Sequence, residues 1–197
     1  MAVRCPGCGL EYDAGLFQFG RTIDCTCGAR AGLDAQMPHI ASGSPPRFLA
    51  DAMLVGLARW LRMLGYDTAC DPNAGDAALA RRCYDEGRIL LTRDRRLPSQ
   101  WRLPQVLLVE ADKPLAQVEE VAARFGLRLG AAVFTRCSRC NVRLEPVPAA
   151  SAGADLPPGA PTGEPMHRCP ECRRYYWEGS HVERMRRELM RRVARED

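Results

Sequence analysis

The stretch RFLADAMLVGLARWLRMLGYDTAC, residues 47–70, runs from an apolar strand to a helix and back to a strand. Phe48, Leu49 and Ala50 form a short apolar run that ends in the carboxylate of Asp51. Met53, Leu54, Leu57, Leu61 and Leu64 recur at helical spacing, and Gly65 stands where a helix closes on a left-handed residue. Tyr66–Cys70 reads as a second strand. Asp71-Pro72-Asn73 is a turn signal, Asp76 occupies an expected N-cap, and a helix follows from Ala77 to Glu86, closed by Gly87. Residues 88–92 and 105–109 read as a third and a fourth strand, and Pro114 suits the first turn of a helix over 114–125. This strand–helix alternation predicts an α/β domain over residues 47–134, with a mostly parallel sheet flanked by helices and right-handed crossovers.

In such a sheet, sites form beyond the carboxyl ends of the strands. Asp51 ends the first strand, Asp94 follows the third, Asp112 follows the fourth, and Asp76 opens the helix after the second. Four carboxylates at one edge repel one another unless a cation neutralises them, and an all-oxygen site selects Mg²⁺ or Mn²⁺. Such ions activate water for phosphodiester hydrolysis. Asp76 also reads as a plain N-cap and Asp112 as a loop residue before a helix, because Asp is common at helix starts. Asp51 is harder to explain away, since a carboxylate at the end of a buried strand is costly unless paired or metal-bound.

On either side of this domain lie cysteines, ten in all. Cys137-x-x-Cys140 and Cys169-x-x-Cys172 are two knuckles of a tetrahedral thiolate site suited to structural zinc; a redox role would not call for two pairs. Cys5, Cys8, Cys25 and Cys27 form a second, similar set, with Tyr12, Phe17 and Phe19 as candidates for a small core. The reading is therefore an N-terminal zinc-ribbon-like module over 1–34, a Pro/Ser/Gly linker over 35–46, and a C-terminal zinc ribbon over 135–197. The last contains a Pro/Ala/Gly loop over 146–165 and a basic helix over 181–195. The two modules do not read as close repeats, because their spacings differ. Cys70 and Cys83 are left as buried small hydrophobes.

The formal charge is +4, from 28 basic and 24 acidic residues, and all the basic ones but Lys113 are arginine. On the last helix Arg184, Arg187, Arg191 and Arg195 form a stripe that suits a phosphate backbone or, equally, a solvated face with i,i+4 pairs. His181 reads as first-turn surface or as an RNA contact. Tyr175, Tyr176 and Trp177 read as base-stacking groups or as ribbon core. No apolar run is long enough to span a membrane, and MAVRCPGCG lacks the apolar core of a secretory signal, which predicts a cytoplasmic protein.

Three blocks together resemble the Mut7-C RNase domain family. They are RFLADAMLVGLARWLRMLGYDT, then GDAALARRCYDEGRILLTRDRRL, then RCxxCN followed by RCPxCxxxYWEGSHVERM. The resemblance covers about residues 47–190 and leaves the N-terminal module outside it. It implies a PIN-like nuclease fold joined to a zinc ribbon, with an acidic site that uses divalent metal to cut RNA. By position Asp51 matches the first-strand aspartate, Asp94 the aspartate of the TRDRRL motif and Asp76 the acidic residue after the second strand; Asp112 matches least well. The expected function is a metal-dependent ribonuclease with zinc ribbons that aid RNA binding, and RNA, with the ribosome besides, as partner. The rival is a non-enzymatic RNA- or ribosome-binding adaptor on a degenerate core. A toxin of a toxin–antitoxin pair shares the core, but such small proteins rarely carry ribbons.

Overall fold

The computed structural model describes residues 2–33, 45–129, 133–147, 156, 160, 165–179 and 187. Most of the 35–46 linker, most of the 146–165 loop and the 181–195 helix lie outside them, except Arg187, which is helical and exposed. The strands are β1 (Ala2–Arg4), β2 (Glu11–Asp13), β3 (Thr22–Asp24), β4 (Arg30–Gly32), β5 (Phe48–Ala50), β6 (Thr68–Cys70), β7 (Ile89–Thr92), β8 (Val106–Leu108), β9 (Glu145–Val147), β10 (Met166–Arg168) and β11 (Tyr175–Trp177). The helices are α1 (Val55–Met63), α2 (Asp76–Glu86), α3 (Leu97–Gln100) and α4 (Pro114–Phe125). The chain is α/β, and its central sheet is four-stranded and parallel, in the order β6-β5-β7-β8. It divides into two compact units, Met1–Leu54 with Cys70–Val109, and Val55–Ala69 with Glu110–Asp197.

In the first unit, every residue of β5 and of β7 is buried. Strands covered on both faces read as unbroken apolar runs, which is why FLA and ILLT do not alternate. Their parallel register pairs Ala50 with Leu91, and the Asp51 N–H continues the ladder to the Leu91 carbonyl at 3.1 Å. Asp51 is thereby set beside Thr92. Asp76 is the first residue of α2 and not its cap: Gly75 is the N-cap, and its carbonyl accepts from the Ala78 and Leu79 N–H groups. At the other end Gly87, at φ 59°, gives α2 its left-handed stop.

The same unit holds the N-terminal module, two small hairpins, β1–β2 and β3–β4, around a core of Val3, Phe17 and Ala31. Tyr12 packs edge-on against Phe17 at 6.1 Å. Phe19 does not join this core; its backbone is left-handed at φ 53° and its ring is turned outward.

In the second unit α1 buries Leu57, Ala58, Leu61 and Arg62, and burial of each leucine contributes about 2 kcal/mol. Gly65 closes α1 as read from the sequence: the Tyr66 N–H reaches the Leu61 carbonyl and the Gly65 N–H the Arg62 carbonyl. α1 lies close against α4, where a side chain on Gly56 would meet the Pro114 ring. The C-terminal module is an antiparallel sheet in the order β11-β10-β9. Pro146 and Val147, read from composition as the start of a loop, belong to β9.

Candidate metal centres and acidic edge

Four knuckles share one backbone design. The N–H groups of Cys5, Cys137 and Cys169 each donate to the carbonyl five residues on, and their carbonyls accept from the N–H four residues on. That turn needs a left-handed residue at the fourth position, supplied by Gly9 (φ 75°), Asn141 (φ 67°) and Arg173 (φ 60°). At Cys25 the turn is one residue tighter, and Gly28 (φ 86°) takes the left-handed place. The differing spacings therefore conceal a common element: C-x-C is the same knuckle less one residue.

Each set of four brings its Sγ atoms within 4.8 Å of one another. Cys5–Cys27 stand at 3.5 Å, Cys8–Cys25 at 3.6 Å and Cys137–Cys172 at 3.6 Å. A disulfide needs about 2.05 Å. None of the ten cysteines is in a disulfide. A tetrahedron with about 2.3 Å zinc–sulfur bonds has edges of about 3.8 Å, so both quartets can hold a zinc-sized ion. Backbone N–H groups of Gly7, Cys140 and Cys172 point at the sulfurs of Cys5, Cys137 and Cys169. The Cys27 N–H, then the Tyr12 hydroxyl, pull the Cys25 thiol down to about 6. Burial raises Cys137, yet the Tyr176 hydroxyl and the Cys140 and Arg139 N–H groups bring it down to about 7. Burial, then the neighbouring sulfurs, push Cys140 up. In each set one thiol is pulled down and a neighbour is pushed up, the opposition between crowded sulfurs that a cation relieves.

The acidic edge is built differently. Asp51 is 6% exposed, and its carboxylate is an acceptor for three donors. The Met53 N–H reaches Oδ1 at 2.8 Å; the Thr92 hydroxyl and, at 3.3 Å, the Arg93 N–H reach Oδ2. A buried carboxylate must be paired or metal-bound, and these hydrogen bonds are its partners within the fold. Thr92 also accepts from the Asp94 N–H at 2.9 Å, so one hydroxyl ties Asp51 to Asp94. Thr92 is not among the residues singled out above, although a polar residue closing an otherwise apolar strand is a signal legible in the sequence. Asp71 is more than the turn residue that its motif indicates. Asp71 directly follows β6 as Asp51 follows β5, and its carboxylate accepts from the N–H two residues on, as do those of Asp51 and Asp94.

Asp94 is half-buried and Asp76 exposed. Among the described residues only the cysteine quartets bring three or more ligand atoms within 4.8 Å, so Asp51, Asp76 and Asp94 do not close into such a set. Asp112 lies in the second unit, exposed on the loop after β8. Glu120 holds that loop through the Glu110 and Ala111 N–H groups, and Gln117 through the Ala111 and Asp112 carbonyls.

Within the second unit the C-terminal quartet is fastened to α1. Arg62, 7% exposed, donates from Nε to the Thr68 carbonyl at 2.7 Å. Its Nη1 reaches the carbonyls of Ser138 and Arg139, inside the first knuckle, at 3.2 and 2.9 Å. Asn141 adds a bond from Nδ2 to Asp67 and accepts from the Thr68 N–H. Tyr176 belongs to the ribbon core, its ring 5.8 Å from that of Phe134 and its hydroxyl 3.1 Å from Cys137 Sγ. Tyr175 and Trp177 alternate to the other face of β11, and Arg168 lies over the Tyr175 ring at 5.3 Å. Cys83 is buried as read, and burial pushes its thiol up to about 12. His181, Arg184 and Arg191 lie outside the described residues. No helix among the described residues is long and apolar enough to cross a membrane.

The Mut7-C RNAse domain family matches residues 46–189. Among curated proteins, the exonuclease mut-7 homolog of Homo sapiens is 38% identical over 104 residues, 48% of this chain but 12% of that protein's length. No solved structure matches the chain.

Proposed function

Because this chain belongs to the Mut7-C RNAse domain family, we propose that it is a metal-dependent ribonuclease that hydrolyses RNA phosphodiester bonds at the acidic edge of its parallel sheet. The observation that carries this reading is the Thr92 hydroxyl, which joins the carboxylate of Asp51 to the backbone of Asp94. A side chain in that position holds two carboxylate-bearing segments in fixed relation before any substrate arrives.

The donors at this edge are all oxygen, which suits Mg²⁺ or Mn²⁺. Mg²⁺ commonly uses only one or two protein carboxylates and keeps several waters, so Asp51, Asp76 and Asp94 need not converge on one point to serve it. Such an ion, when bound, polarises the scissile phosphate and lowers the pKa of an attacking water. The protein's own part is to fix Asp51 through Met53, Thr92 and Arg93, leaving lone pairs on the carboxylate. The segment Thr92-Arg93-Asp94-Arg95-Arg96 also carries three arginines next to these carboxylates along the chain, a residue type whose guanidinium matches phosphate. The experiment is cleavage of a panel of labelled RNAs with Mg²⁺ or Mn²⁺, repeated with chelator. Chelator-sensitive cleavage is expected, and RNA bound but never cut would overturn the reading. That outcome would favour an RNA-binding adaptor, a reading supported by the hydrogen-bonded state of Asp51 and the open spacing of the carboxylates.

Zinc in both quartets is part of the proposal, and free cysteines arranged as thiolate sets support a reducing, cytoplasmic setting. Metal analysis of purified protein is expected to give about two zinc ions per chain. Fewer than about one would eliminate both sites. The last helix would bind RNA through Arg184, Arg187, Arg191 and His181. Charge reversal at Arg187 and Arg191 is expected to weaken binding at low salt and flatten the dependence of affinity on salt, by about two units of slope at most. An unchanged slope would mark the stripe as solvated surface.

A further inference from the structure

The N-terminal module lies outside the family match, yet within the first compact unit it makes contacts with two segments of the nuclease core. One is α2. Arg81 lies over the outward-turned Phe19 ring at 5.6 Å. The other is the stretch 99–103, which takes in the last two residues of α3 and runs on from it. There the Thr22 hydroxyl donates to the Ser99 carbonyl at 3.2 Å, and Arg21 forms a β-bridge with Trp101. The Arg102 N–H donates to the Gly20 carbonyl at 2.6 Å, and Arg102 Nη1 to the Leu33 carbonyl at 3.1 Å.

Gly20 is the point where the two meet. The Tyr84 hydroxyl of α2 donates to the Arg102 carbonyl, and Gly20 sits against both. Its φ is +75°, and a Cβ there would collide with the Tyr84 hydroxyl and the Arg102 carbonyl. Only glycine fits. The two segments so gripped are those that begin at Asp76 and run on from Asp94. The grip in turn depends on the quartet. Gly20 follows Phe17 of the module core, and β3 leads from it into the knuckle that starts at Cys25. A module of this size with three buried core residues lacks the apolar burial to fold alone, so metal binding supplies its folding free energy.

We infer that the N-terminal zinc module is a clasp that positions α2 and residues 99–103, so that the placement of Asp76 and Asp94 depends on a metal ion that touches neither. The catalytic half of this inference rests on the ribonuclease reading; the clasp itself does not. The test uses the full chain, with metal analysis, hydrogen exchange and steady-state kinetics on wild type, Cys27→Ser and Gly20→Ala. Cys27→Ser is expected to fall from two zinc ions to one and to lose amide protection over 76–86 and 99–103 by on the order of tenfold or more, with β5 and β7 still protected. Should that variant lose protection everywhere, Gly20→Ala decides: it is expected to keep both ions and lose protection around Tyr84 and Arg102. In both variants kcat is expected to fall on the order of tenfold with KM little changed, because the fault is in placing carboxylates and not in holding RNA. Unchanged exchange in both segments, with zinc lost in one variant and Gly20 replaced in the other, overturns the clasp. Altered exchange with unchanged kcat overturns its catalytic half. A wild type that cuts no RNA defeats the ribonuclease reading while the exchange data still decide the clasp.

Discussion

Asp51→Asn is expected to lower RNA cleavage on the order of a hundredfold or more, the usual loss when one group that stabilises developing charge is removed. The substitution keeps size and removes one charge from the acidic edge. It is not silent for folding. The carboxylate accepts from the Met53 N–H on one oxygen and from Thr92 and Arg93 on the other. An amide offers one acceptor oxygen, so its NH₂ group must face a donor whichever way it is turned. The cost is about 1–3 kcal/mol, a melting temperature lower by about 2–4 °C per kcal/mol in a chain of this size. Cleavage is therefore compared well below the transition, with Mg²⁺ or Mn²⁺ titrated in both proteins. Equal cleavage by the variant would remove Asp51 from the machinery. An unshifted melting temperature would contradict its hydrogen bonding.

The second large effect is expected at Arg62. Arg62→Met keeps the apolar stem and leaves three carbonyls, of Thr68, Ser138 and Arg139, without their buried donor. The loss is expected at about 3 kcal/mol or more, read as a lower urea midpoint. Arg62→Lys is expected to recover less than half of it, because an ammonium cannot reproduce the fork that spans Thr68 and the knuckle. Ser138 and Arg139 lie between Cys137 and Cys140, so the variant is also expected to release metal from the C-terminal quartet to a chelator faster than wild type. A wild-type midpoint in Arg62→Met would show that water replaces the guanidinium at no cost.

The expectations that held concern short stretches of chain. Gly65 and Gly87 end helices where the apolar periodicity stops, each at positive φ, and Pro114 opens α4. Phe48–Ala50 and Ile89–Thr92 are buried throughout, as unbroken apolar runs in a parallel sheet should be. The corrections also have local causes. Asp76 took the N1 position because Gly75 makes the extended cap without a side chain. Phe19 left the core because one left-handed residue turned its ring to Arg81.

Sequence by itself determined the order of the strands and longer helices over residues 47–125, the two cysteine quartets and the row of aspartates after the strands. These are set by turn chemistry, ligand spacing and hydrophobic period, each acting within a few residues. Tertiary structure alone decided what those groups meet. Thr92 reaches Asp51 from 41 residues away, Arg62 reaches Ser138 from 76, and Thr22 reaches Ser99 from 77. No local signal encodes such pairs. They follow from which buried surfaces pack together, and each is held because a polar group taken from water there must find a partner in the fold.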